Sequence, residues 1–141
     1  MSLVNTSTEF GQRADRRLRE EKIAWLTTVS SSGTPQPVPV WFLWDGAESV
    51  LLYSRPDTPK LRAIAANPRV SLNLDGNGQG GDIVVATGEA AVSDGEPPAH
   101  EVPEYVDKYR PLIERNRWSP ESFAADYSVA IRVHLQRIRG H

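Results

Sequence analysis

Two cationic side chains and two hydroxyls fall close together in the run LLYSRPDTPKL, residues 51–61, where an apolar strand gives way to a helix. Ser54 and Arg55 end the strand. Thr58 is a good N-cap and Pro59 suits the first helical position, so the spacing predicts a helix that starts at Pro59-Lys60. The free N–H groups of its first turn then point back toward Arg55 and Lys60. A helix N-terminus beside two cations is a way to hold a phosphate or a carboxylate. The competing reading is an ordinary capped helix with solvated charges, since Pro-containing helix starts are common.

A second stretch, PQPVPVWFLWDG, stands out for its backbone. Pro37 and Pro39 are two apart, so one edge of this strand lacks two successive N–H donors and cannot pair fully with a neighbour. From Val38 onward both faces are apolar, with Val40, Phe42 and Trp44 on one side and Trp41 and Leu43 on the other. Two apolar faces mean burial on two sides. One side is expected to face a core; the other calls for a partner chain, a flat ligand, or both.

The elements around these segments follow from periodicity. An N-terminal helix over about 8–22 carries Phe10, Ala14 and Leu18 at spacings of four, and its Arg13, Arg16, Arg17 and Arg19, mixed with acids, read as a solvated face. Strands are expected at 24–29, 36–44 and 49–53, then a helix over 59–66 stopped by Asn67-Pro68, then strands at 70–74 and 83–92. Helical pieces at 102–115 and 119–125 precede a last strand at 127–138. Gly76, Gly78 and Gly81 match G-x-G-x-x-G, but a strand follows them and no helix, so they read as a flexible hairpin loop. Six strands in so short a chain predict a closed antiparallel barrel, mainly β with peripheral helices, forming a single domain over 1–141 from which the barrel takes about 24–138.

Composition narrows the function. The 141 residues carry a formal charge of -2 and no cysteine. There is thus no basic field for nucleic acid, no disulfide framework, no thiolate metal site and no cysteine nucleophile. Three histidines, His100, His134 and His141, offer no metal-ligating spacing, so no metal is expected. With no signal peptide and no long apolar run, the chain is expected to be soluble and cytoplasmic. Met1 to Leu3 and Gly140-His141 read as expression remnants and are set aside.

AWLTTVSSSGTPQPVPVWFLWDG, YSRPDTPKLRAIAANPRVSLNLDG, GDIVVATGEAAV and SVAIRVHLQRIRG together resemble the split β-barrel flavin-binding proteins related to pyridoxamine 5'-phosphate oxidase. The resemblance is nearest to the short actinobacterial branch of F420-dependent (deazaflavin) enzymes. It implies a homodimer with a flavin or deazaflavin at the subunit interface. The cofactor phosphate is implied to lie at Arg55 and Lys60, with Ser54 and Thr58 as hydroxyl donors, and the ring system along Val38, Pro39, Val40 and Trp41. The implied function is an oxidoreductase that passes a hydride between coenzyme F420 and a small conjugated acceptor; a phosphate site alone does not separate F420 from FMN. Further cations near the site, such as Arg62, Arg69 or those of the first helix, would suit the acidic tail of F420. An FMN-dependent oxidase or reductase, and a flavin- or tetrapyrrole-binding protein without turnover, are the alternatives. No side chain is assigned as catalytic, although Tyr53, Trp118 and His134 are able to stack or donate a proton. Acceptor specificity is expected from the loop at 76–81 and from the helices after Val92.

Overall fold

A computed structural model describes residues 3–141; Met1 and Ser2 of the expected remnant lie outside the described residues. The chain runs α1 (Glu9–Glu20), β1 (Ala24–Val29), β2 (Pro35–Val40), β3 (Leu43–Trp44), β4 (Ser49–Ser54), α2 (Pro59–Ala66), β5 (Arg69–Leu74), β6 (Val84–Val92), α3 (Pro103–Arg115), α4 (Pro120–Asp126) and β7 (Val129–Gly140). The strands form one sheet in the order β2-β1-β5-β6-β7-β4-β3, with every pairing antiparallel. Its two outermost strands, β2 and β3, are separated in sequence only by Trp41-Phe42. The chain therefore bridges the two ends of the sheet and curls it into a split barrel.

That bridge explains why there are seven strands and not six. The expected strand over 36–44 breaks at Trp41-Phe42, where its partner changes from β1 to β4. In β2 three prolines, Pro35, Pro37 and Pro39, lie opposite Val29, Thr27 and Trp25. Only Gln36, Val38 and Val40 have N–H groups to give to β1, so the proline edge is the open one.

The barrel interior is filled by Leu26, Phe42, Val50, Leu52, Leu72, Ile131, Val133 and Leu135, with Ala14 and Leu18 of α1 and Ile64 of α2 packed against it. A second apolar cluster lies outside the barrel, where α3 and α4 cover Leu51 and Tyr53 of β4 with Tyr105, Tyr109, Ile113 and Phe123. Trp41 and Leu43 pack on this cluster. The second apolar face of the 36–44 segment thus packs on the chain's own helices, which leave Trp41 and Leu43 half-buried.

The first helix corrects a further expectation. Arg17 is only 8% exposed. It donates to the carbonyls of Asp75 and Asp82 and pairs with the Asp82 carboxylate at 3.2 Å, while Arg13 pairs with the same group at 3.1 Å. Carbonyls at the ends of the glycine-rich loop need donors, and the arginine face supplies them. The loop itself joins β5 to β6 as a hairpin, wrapped around Asn77, whose side-chain oxygen accepts from the N–H groups of Gln79 and Gly81. Leu3 donates to the Ala47 carbonyl and Ile83 to that of His141, and Gly140 pairs with Val84.

Candidate functional site

The turn from β4 to α2 forms as the residue types predict. Thr58 is extended (φ -83, ψ 156) at the N-cap, and Pro59 opens the helix. Asp57 takes a left-handed φ of 60, which its short polar side chain tolerates, and its carbonyl accepts from Arg62 at 2.9 Å. The Thr58 hydroxyl does not cap the helix; it lies 3.2 Å from the Ser54 hydroxyl. Ser54 is buried, and its Oγ donates to the Arg55 carbonyl at 2.8 Å, so its proton is engaged within the turn.

Among the described residues, two cations at this turn have no counter-charge. Lys60 is half-buried and has neither a hydrogen bond nor an ion pair among the described residues, and burial holds its ammonium below the ordinary 10.5. Arg55 is exposed and rests over the Tyr127 ring, 5.1 Å from its centre. An unpaired, partly desolvated ammonium is unfavourable until an anion arrives.

Beside these cations opens a recess of about 240 Å³. Pro39, Val40 and Trp41 form one wall, Lys60 stands at another, and Tyr53, Tyr105, Trp118, Phe123 and Tyr127 complete it. Trp41 stacks on Tyr109 with centroids 4.6 Å apart and planes 3° apart, and on Phe123 at 5.2 Å and 16°. Phe123 continues the stack to Tyr127 at 4.6 Å. Tyr53 donates to the Pro97 carbonyl at 2.7 Å. Its hydroxyl is pushed up to about 12, chiefly by burial and then by the Glu96 charge. Tyr105 is 1% exposed and its hydroxyl has no partner among the described residues.

Of the eight residues expected to hold a cofactor, Pro39, Val40, Trp41 and Lys60 meet in this recess. Ser54, Arg55 and Thr58 form the turn beside it, and Val38 packs inward against the barrel core. Trp118 joins the wall, but exposed His134 does not and lies 3.9 Å from Glu48. The loop at 76–81 does not line the recess, whereas α3 and α4 do, so only half of the expected specificity surface is found here. Sequence reasoning missed Tyr105, Phe123 and Tyr127. The one available signal was the pairing of Tyr105 and Tyr109, four apart on the same helical face.

Comparison with known proteins fits this geometry. The family model for pyridoxamine 5'-phosphate oxidase matches residues 10–141. The chain belongs to the pyridoxamine 5'-phosphate oxidase family. No curated protein matches it in sequence. Among solved structures, an F420 reductase is similar at 26% identity and a TM-score of 0.64, over 89% of this chain and 94% of the other. HutZ, the heme storage protein of Vibrio cholerae, has the same fold at 17% identity and a TM-score of 0.61, over 99% of this chain and 95% of its own. HupZ of Group A Streptococcus, at 16% and 0.61, covers 90% of each. The same fold thus occurs in a protein named for F420 and in one named for heme, so the ligand must be argued from the residues of the recess.

Proposed function

We propose that this chain is an oxidoreductase that binds coenzyme F420, or FMN as the alternative, and uses it for hydride transfer with a small conjugated acceptor. The observation that carries the reading is the pair of uncompensated cations, half-buried Lys60 and exposed Arg55, next to a recess walled by Pro39, Val40 and Trp41. A phosphorylated, flat cofactor has both the charge and the shape such a site lacks. The likeness to an F420 reductase favours the deazaflavin. When bound, the cofactor supplies the hydride chemistry, and the protein contributes position, dryness and electrostatics.

Each part of the site has a task in this reading. Lys60 and Arg55 hold the phosphate, with the first free N–H of α2 available to it. The ring lies along Val38–Trp41, where the proline edge of β2 donates nothing and leaves backbone carbonyls and the side chains of Pro39 and Trp41 to face it, Val38 itself packing inward. The α3–α4 aromatics exclude water. At about 240 Å³ the recess is below the ~300 Å³ at which pockets for drug-sized ligands begin. A whole mononucleotide therefore needs more cover than one chain's recess supplies, which supports a homodimer with the cofactor at the subunit interface. The heme-storage relative suggests no better reading here, because among the described residues no histidine lines the recess to ligate iron.

The test is a titration of the purified protein with F420 and with FMN, followed by cofactor fluorescence and tryptophan quenching. Tight F420 binding with weak FMN binding is expected. FMN preference moves the protein to the oxidase or reductase alternative, and binding of neither overturns the cofactor reading.

A further inference from the structure

Two cross-strand rows on the outside of the barrel lie open. One runs Pro39, Trp25, Asn73, Val85, Arg139, and the next runs Pro37, Thr27, Ser71, Thr87, Arg137, each in the strand order β2-β1-β5-β6-β7. Their chain neighbours Leu26, Leu72 and Ala86 fill the core, so strand alternation turns these rows outward. The prolines, Thr87 and both arginines are exposed, and the others are half-buried. Two troughs of about 540 and 510 Å³ lie on this face and share Thr87, Gln136 and Arg137, and no residue of α1 to α4 lines either one.

The charge on these rows is one-sided. Both arginines belong to β7, and among the described residues their guanidinium groups have neither an ion pair nor a hydrogen bond. The opposite end, β2, presents prolines. A two-fold dimer sets one patch against its own copy, and for a face-to-face contact the axis lies in the plane of contact. An axis running across the strands stacks β7 on β7 and crowds four unpaired guanidinium groups together. An axis running along β5 stacks β7 of each copy on β2 of the other. The two pairs of arginines then stand four strands apart, ~19 Å at ~4.8 Å per strand, more than twice the ~8 Å screening length of physiological salt. This second arrangement also sets Trp25 against Val85 and lays the apolar arginine stems on the prolines, and it keeps the strands of the two sheets aligned, as in stable sheet packings.

We propose that the outer face of β2-β1-β5-β6-β7 is the interface with a second copy of this chain, paired about a two-fold axis along β5, so that the partner's Arg139 lies over Pro39 at the edge of the recess. Pro39 belongs to both features, since it ends the first row and lines the recess. The partner therefore covers the recess and brings it a cation beside Lys60 and Arg55. The role of that cation in holding a phosphate rests on the cofactor reading above; the face and the axis do not.

The chain has no cysteine, so single cysteines report the contact. Ser71 sits on the middle strand and the proposed axis, and Ser71→Cys is expected to cross-link to its own copy with a short bismaleimide. Pro39→Cys and Arg139→Cys are each expected to stay uncross-linked alone and to join one another when the two are co-expressed. Sedimentation of the unmodified wild type at micromolar concentration is expected to show a dimer, and Thr27→Arg, which places a charge beside the axis, a folded monomer. A wild-type monomer, or Ser71→Cys that does not cross-link in a dimeric protein, overturns the interface; Arg139→Cys joined to itself overturns the axis. None of these measurements contains a cofactor, so failure of F420 and FMN to bind leaves them standing. The arginine's part is read separately: Arg139→Ala is expected to stay dimeric and weaken cofactor binding about threefold, on the scale of an exposed ion pair. Unchanged affinity in that dimer removes Arg139 from the site while leaving Lys60 and Arg55 in it.

Discussion

The Tyr109 hydroxyl accepts the Phe42 N–H at 2.7 Å across 67 positions of chain. Its single proton is shared between the carbonyls of Phe42 at 2.9 Å and Lys22 at 2.8 Å. Lys108 also donates to the Phe42 carbonyl, at 2.8 Å. Phe42 sits where β2 leaves one neighbour and β3 joins another, so its backbone groups have no ladder partner and are buried. The helix α3 supplies what the sheet cannot.

Removing the Tyr109 hydroxyl therefore strands a buried N–H, and Tyr109→Phe is expected to lower stability by about 2 kcal/mol. Urea unfolding measures this directly. Tyr105→Phe, four residues earlier on the same helix, removes a hydroxyl with no partner and is expected to leave stability unchanged or raise it. Equal losses in both variants would show that the hydroxyl contacts are not what distinguishes them.

The parts of this molecule legible in the sequence are those fixed by local chemistry. Thr58 and Pro59 determine where α2 begins, and the prolines of β2 determine which strand has an open edge; both depend on backbone rules that act within a few residues. The break at Trp41-Phe42 was not legible, because an unbroken apolar run reads as one strand and the change of partner is a property of the closed sheet. The same limit hid the aromatic wall: Tyr53, Tyr105 and Phe123 come together from three separate elements through tertiary packing. Arg17 was misread for the opposite reason. A helical arginine among acids is usually solvated, and only the fold brings the loop carbonyls of Asp75 and Asp82 within its reach.

The two free cations predict unequal losses of cofactor affinity. Lys60 is half-buried, so Lys60→Ala removes a charge-assisted contact of about 1.5–3 kcal/mol and is expected to weaken binding tenfold or more. Arg55 is exposed and screened, so Arg55→Ala is expected to cost at most about 1 kcal/mol, an effect that fades as salt is raised. Ser54→Ala should change affinity little, since that hydroxyl is engaged by the turn. Titrations of the three variants at two salt concentrations check the order; unchanged affinity in Lys60→Ala would remove the phosphate from this turn.

The clamp between α1 and the glycine-rich loop predicts an asymmetry among neighbouring arginines. Arg17→Ala removes the donor to the carbonyls of Asp75 and Asp82 and is expected to cost about 2 kcal/mol. Arg16, one position earlier, is exposed, and Arg16→Ala is expected to fall within about 0.5 kcal/mol of wild type. Chemical denaturation of both variants decides whether the arginine face is structural; equal, small effects would return it to a solvated surface.

Stability should pass through a maximum at alkaline pH, for reasons of opposite sign. Lys108 is lowered to about 8, first by burial and then by Lys22, against an ordinary value of 10.5. Between those two values the unfolded chain binds more protons than the folded one, so stability rises with pH across that window. Tyr53 behaves in reverse, being raised to about 12, and burial also raises Tyr105 and Tyr109. Above pH 10 the unfolded tyrosines ionise while the folded ones keep their protons, so stability is lost as pH climbs from 10 toward 12. Denaturation midpoints taken at intervals from pH 7 to 11 are expected to increase and then fall. Lys108→Met should flatten the rising limb and Tyr53→Phe should soften the falling one. A rising limb unchanged in Lys108→Met would mean that Lys108 is not the group responsible.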